Sequence, residues 1–166
     1  MSTNALTLVV CGAPLAGRAR DVRAALTAAS WSVSLLPSDA ASAWAEAGDP
    51  DRARPAAVVA CPLTFNTANK LVIGIMDTPV VGALCDAIGA HLPVVAVPMV
   101  NNRLWGHPTW ARTLATLREW AVVLVDPADG RVGAPRPVAS GSGEAVAAAF
   151  DPKWITAALG PAPSCG

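Results

Sequence analysis

Apolar residues along this chain gather into short continuous runs rather than alternating with polar ones. Residues 6–11, 32–36, 56–60 and 94–97 are such runs, and residues 122–125 form a fifth. Continuous runs of this length predict strands buried on both faces, as in parallel sheets. Between them, residues 17–30, 39–47, 69–88 and 110–120 carry alanine-rich or amphipathic patterns that predict helices. The alternation predicts an α/β fold: a doubly wound parallel sheet in three layers, Rossmann-like or flavodoxin-like, in a single domain. After that, Asp126-Pro127-Ala128-Asp129-Gly130 and Gly133-Ala134-Pro135-Arg136-Pro137 predict loop and turn. A short helix over residues 143–150 ends the domain at residue 150, and residues 151–166 read as a Pro/Gly tail.

Composition narrows the functional classes. With 166 residues, 53% of them apolar, the chain suffices for one domain and one well-buried core. Twelve basic residues balance twelve acidic ones, so the positive field that nucleic acid requires is missing. Asp77, Pro79, Asp86 and Pro93 break the apolar stretches well before the roughly 20 residues of a membrane span. The start of the chain carries no basic cluster, and its first apolar run leads into a glycine turn, so a cytoplasmic protein is expected. So apolar a chain with so few charges is expected to bury surface between subunits, as a homo-oligomer. Cys11, Cys61, Cys85 and Cys165 show no Cys-x-x-Cys spacing and no neighbouring histidine, so neither a metal site nor a disulfide framework is expected. Cys11 and Cys61 fall at the ends of predicted strands, where a small apolar role is the expectation.

Doubly wound sheets bind ligands outside the carboxyl ends of their strands, which directs attention to the segments following each run. After the first run comes Gly12-Ala13-Pro14-Leu15-Ala16, a glycine turn of the kind any such domain has. After the second, Ser38 either caps a helix or faces a ligand; Asp39 beside it would repel a phosphate unless turned away. After the third stands Cys61-Pro62-Leu63-Thr64-Phe65-Asn66-Thr67-Ala68-Asn69-Lys70, then Gly74-Ile75-Met76-Asp77. Thr64, Phe65, Asn66 and Thr67 bring two hydroxyls and an amide to a helix start, a compact neutral donor set; an ordinary capped helix is the alternative. After the fourth comes Pro98-Met99-Val100-Asn101-Asn102-Arg103-Leu104-Trp105-Gly106-His107-Pro108, in which Asn101 either binds a ligand or turns the chain. Ser140-Gly141-Ser142-Gly143 reads from composition as a flexible loop.

These segments resemble the signature of the homo-oligomeric flavin-containing cysteine decarboxylases: Pro-Ala-Ser-Ala-Asn-Thr-x-x-Lys, Gly-x-x-Asp and Pro-x-Met-Asn-x-x-Met-Trp-x-x-Pro. The resemblance covers roughly residues 5–145, is closest to the peptidyl-cysteine decarboxylases of lantibiotic pathways, and implies flavin mononucleotide (FMN) as cofactor. It implies cofactor contacts from Gly12, Ala13, Ser38, Thr64, Phe65, Asn66, Thr67 and Met99, with Pro14 standing where the family places a serine. Asn101 would hold the substrate carboxylate close to the flavin, as both catalytic and substrate-binding residue. Val100 replaces the methionine that usually precedes it, while Trp105 and Pro108 keep the register. Asp77 is expected to fix a turn or a subunit contact. Ser140 and Gly141 would belong to a substrate flap; with serine rather than cysteine at 140, the product would remain oxidised. A homotrimer or a dodecamer of trimers is implied.

The family reaction is oxidation of a peptidyl cysteine thiolate, loss of the adjacent carboxylate as carbon dioxide, and release of an enethiol. Its histidine base lies between the second strand and Pro62, but here the two histidines, His91 and His107, both come later and read as surface and structural residues. The intervening residues 46–55 are short, polar and proline-containing. Three functions follow: an FMN-dependent decarboxylase acting on a cysteine-containing peptide or small thiol; an FMN-binding subunit without independent activity, serving a protein partner; or a related flavin enzyme such as a flavin prenyltransferase.

Overall fold

The computed structural model describes residues 4–41 and 54–163. Five strands, β1 (Ala5–Val10), β2 (Ser32–Pro37), β3 (Ala57–Leu63), β4 (Val94–Pro98) and β5 (Val123–Leu124), form one sheet in the order β2-β1-β3-β4-β5. Every pairing is parallel, with Leu8 opposite Leu35 on one side and Val59 on the other, and Val59 opposite Val95. The α/β doubly wound architecture expected from the apolar runs is therefore present.

Helices cover both faces because successive strand residues point to opposite sides. Leu6, Leu8 and Val10 of β1 pack with α1 (Ala19–Ala28) through Val22 and Leu26, and with Phe150 and Ile155. Val9 joins the opposite cluster with Leu71 of α2 (Phe65–Ile73), Leu84 of α3 (Pro79–Gly89), and Trp110 and Leu117 of α5 (Pro108–Glu119). Each leucine sealed in these layers contributes about 2 kcal/mol of apolar burial. A short helix α4 (Asn102–Trp105) follows β4, and α6 (Gly143–Ala149) and α7 (Lys153–Leu159) close the chain.

Two expectations are corrected, and a third falls mostly outside the described residues. The helix anticipated over residues 69–88 is two helices: it starts earlier, at Phe65, and breaks where Gly74 ends α2 at φ 74°. Thr78 then caps α3 by accepting from the Val81 amide at 3.3 Å, with Pro79 in the first turn. The helix anticipated over 39–47 begins as a single 3-10 turn, Asp39–Ala41, and its remainder lies outside the described residues, as does Cys165. Residues after 150, expected as a tail, hold α7, because Ile155 is fully buried and Trp154 meets Phe150 edge-on at 5.3 Å. Gly130 makes room for it; a Cβ there would fall 2.3 Å from Trp154 Cγ.

The topology fixes where a ligand can lie. From β1 the chain passes to β2 on one side, and from β3 to β4 on the other, so a crevice opens at the carboxyl ends between β1 and β3. No helix among the described residues is long and apolar enough to cross a membrane.

Candidate functional site

A cleft of about 800 Å³ occupies that crevice, within the size range of small-molecule and cofactor sites. It gathers all eleven expected site residues: Gly12, Ala13, Ser38, Thr64, Phe65, Asn66, Thr67, Met99, Asn101, Ser140 and Gly141. The sequence separates these by up to about 130 positions; the parallel sheet brings them together by ending each strand at one edge.

The β1 turn is held close to β2. A Cβ on Gly12 would lie 2.5 Å from the Ala40 Cβ, so only glycine lets the turn pass there. Pro14 begins a 3-10 turn, Pro14–Arg18, and Leu15 donates its amide to Met99 Sδ at 3.4 Å, tying the turn to the end of β4. Gly143 completes this wall: a Cβ on it would meet Pro14 Cγ at 2.9 Å.

Strand β3 runs through a cis Cys61–Pro62 bond at an irregularity in its pairing with β4, a position that tolerates proline's missing donor. Thr64 then caps α2, accepting from the Thr67 amide at 3.5 Å and donating its hydroxyl to Thr67 Oγ1 at 3.1 Å. Thr67 Oγ1 also accepts from Cys11 Sγ at 3.5 Å, so the cleft floor is hydrogen-bonded from below. Burial pushes the Cys11 and Cys61 thiols above their ordinary pKa, keeping both protonated. Asn66 is exposed, and its side chain makes no hydrogen bond among the described residues, leaving both its ends to a ligand. Phe65 forms an apolar wall backed by Trp110 at 5.4 Å and His107 at 5.5 Å. Asn69 serves the scaffold, accepting from Thr113 at 2.7 Å and Thr109 at 3.3 Å to join α2 to α5. Lys70 pairs with Asp77 at 2.5 Å across the break between α2 and α3.

Asn101 is both a cap and a cleft residue. Its Oδ1 accepts from the Arg103 and Leu104 amides at 3.1 and 2.9 Å, leaving Nδ2 as its free donor. The 138–141 segment approaches through a parallel bridge between Asn101 and Val138. His107 caps α5 through Nδ1, accepting from the Thr109 amide at 3.2 Å, and neither it nor the exposed His91 lines the cleft. The segment that would carry a family histidine lies outside the described residues.

The donor set suits a flavin nucleotide. Ser38 Oγ is buried at the cleft wall without a hydrogen-bond partner among the described residues, so the capping alternative is not realised there and a hydroxyl remains for a phosphate or ribityl oxygen. The Phe65 and Asn66 amides at the start of α2 have no intrahelical acceptor and add donors beside the Thr67 amide that Thr64 caps. Asp39 and Glu144 also line the cleft, and Lys70 is already paired, so among the described lining residues the donors open to an anionic end are neutral hydroxyls and amides.

Several lining residues escaped the sequence. Thr78, Val80 and Val81 enter because α3 starts at the cleft, which the reading of one long helix hid. Leu104 and Glu144 enter from α4 and α6. Asn102, just outside the lining, holds Ser140, and the Asn-Asn doublet was the available signal. Asp126, buried behind the flap and paired with Arg136 at 3.0 Å, was visible only as a turn residue.

A family model described as Flavoprotein matches residues 2–144. The curated "Coenzyme A biosynthesis bifunctional protein CoaBC" of Thermococcus kodakarensis is 33% identical over 70 residues, which are 42% of this chain and 17% of that protein. The match thus spans about a sixth of that relative's length. Among solved structures, a PPC decarboxylase mutant complexed with pantothenoylaminoethenethiol superposes with a TM-score of 0.68 at 17% identity, covering 92% of this chain and 94% of that one. The FMN-dependent cysteine decarboxylase TvaF from thioviridamide biosynthesis superposes with a TM-score of 0.58 at 21% identity, covering 74% and 90%. At such identities the superpositions establish a shared fold.

Proposed function

This chain belongs to the flavoprotein family, and from that premise we propose that its cleft binds FMN and oxidatively decarboxylates a C-terminal cysteine of a peptide or small thiol. The observation that carries the reading is the convergence of Ser38, residues 64–67 and Asn101 on one cleft at the sheet's switch point. Ser38 Oγ, Asn66 and the first α2 amides would hold the phosphate and ribityl chain, and Phe65 and Met99 would border the ring. Flavin bound there would supply the two-electron oxidation of the substrate thiolate.

The chain's own residues bind and orient. Asn101 Nδ2, its oxygen engaged by the helix cap, donates to the substrate carboxylate. Ser140 and Gly141 border the same end of the cleft. Without a histidine among the described lining residues, thiolate formation follows the substrate's own ionisation. The decarboxylation rate should therefore rise about tenfold per pH unit below the thiol pKa of about 8.5, as carbon dioxide release from a cysteine-ending peptide across pH 6–9 would show. A plateau from pH 6 would reveal an internal base.

The missing lining histidine favours a second reading, an FMN-binding subunit that serves a partner and releases no carbon dioxide alone. A homotrimer or larger assembly in the cytoplasm accompanies both readings; exposed Ile73, Ile75 and Met76 supply apolar surface for it. The first test is the visible spectrum of the purified protein, with mass identification of any released chromophore. Thr64→Ala combined with Asn66→Ala should leave the protein folded and colourless; a fully yellow double variant would remove residues 64–67 from the cofactor site.

A further inference from the structure

Asn102, beside the cleft asparagine, has no part in the chemistry above. Its Oδ1 accepts from the Ser140 amide at 3.2 Å and from Ser140 Oγ at 2.7 Å. A backbone N–H only donates, so the atom facing it is the oxygen, and the Ser140 hydroxyl proton points at that same atom. Below this contact the backbones pair: Val138 donates to Val100 O at 2.9 Å and Asn102 to Val138 O at 3.0 Å. Beyond it the chain turns on itself. The Ser142 amide and hydroxyl both donate to Ala139 O, at 3.0 and 2.8 Å, and Gly141 sits at φ 88°. The tip is thus a self-contained turn, and Asn102 supplies the side-chain bond, among those of the described residues, that fastens it to the segment after β4.

We infer that Asn102 is a positioning residue, fixing the 138–141 segment as a wall of the cleft and setting the polarity of Ser140. This rests on the reading of that cleft as the ligand site. With its proton engaged, Ser140 Oγ offers the ligand lone pairs only, whereas Asn101, with its oxygen engaged, offers N–H donors only. The Ser140 hydroxyl and the Asn101 amide therefore present an acceptor and a donor to the same cleft. Such a pair recognises a ligand that places an N–H next to a carboxylate, and disfavours one with two acceptors there.

Hydrogen exchange of the full chain without added ligand tests this. Asn102→Ala should speed exchange across residues 139–142 about tenfold, the loss of two hydrogen bonds of modest net strength, while β1, β3 and α5 stay protected. Asn102→Asp, whose carboxylate accepts the same two bonds, should retain most of the protection. Equal exchange in Asn102→Ala and the parent, or equal loosening in Ala and Asp variants, would overturn the inference. Should Asn102→Ala also loosen β1 and β3, Ser140→Ala decides: a smaller acceleration confined to 139–142 supports the role, and no change overturns it. Because this contact is read by exchange and not by colour, a colourless protein would sink the proposed cofactor and leave this result standing.

Discussion

Asp126 is 1% exposed and accepts five hydrogen bonds, two from the Arg136 side chain and one each from the Ala128, Asp129 and Arg136 amides. Burial alone would push its carboxyl up, but the bonds from Arg136 and Ala128 and the Arg136 charge outweigh burial and leave it below the ordinary 3.8. A carboxyl depressed on folding stabilises the native state fully above its unfolded pKa, and that contribution is lost as pH falls through the folded value. Thermal stability should therefore decline below about pH 4, and Asp126→Asn should be destabilised by about 2–3 kcal/mol at pH 7 while losing part of this acid sensitivity; melting curves from pH 2.5 to 7 check both. Gly12→Ala should cost about 1–3 kcal/mol and weaken ligand binding, because the added carbon meets Ala40 at 2.5 Å. At this scale the sequence picked out eleven residues that line the cleft, missed those contributed by α3, α4 and α6, and did not show what each atom does there. Asn101 was legible as turning the chain or binding a ligand; its oxygen caps α4 at that turn while its nitrogen is left free for a ligand. Ser38 lacks the cap bond its type suggested, which depends on backbone placement no spacing reveals.

Among elements, the break between α2 and α3 shows how apolar periodicity misleads. Leu71, Val72, Ile73 and Ile75 continue a helical pattern into Met76, yet Gly74 at φ 74° and the Thr78-Pro79 start divide it. Punctuation overrides pattern here, and the division brings α3's first turn to the cleft. Gly74→Ala should cost about 1 kcal/mol because a Cβ is strained at positive φ. Gly17→Ala, with nothing within 4 Å of the new carbon and an ordinary φ, is the neutral control; denaturant midpoints compare them. Removing the Thr64 cap should likewise cost about 1 kcal/mol, so Thr64→Ala must be tested for stability before loss of colour is read as loss of contact. The closing helix α7 was missed because its evidence is tertiary: Ile155 and Trp154 fill space that only the packed sheet creates.

For the whole molecule, the parallel sheet and the strand ends at which a ligand would lie were readable, since buried parallel strands announce themselves as apolar runs; the order β2-β1-β3-β4-β5, which places the crevice between β1 and β3, was not. Association between copies is a prediction of the surface rather than of the sheet. Ile73 at the end of α2 is 69% exposed and Met76 in the connection after it 54%; paired Ile75→Glu and Met76→Glu substitutions should shift light-scattering mass toward the 16.8 kDa of one chain, and an unchanged larger mass would place the interface elsewhere. Beneath the cleft, Cys11 and Cys61 are sealed and protonated, with Cys11 bonded to a floor threonine. Thiol reagents can reach them only when the core opens, so the pair forms a built-in clock of that opening. Any compound that settles in the cleft stabilises the closed form by mass action and slows this clock, so that colourless ligands too can be ranked by the time a thiol reagent needs to find Cys11.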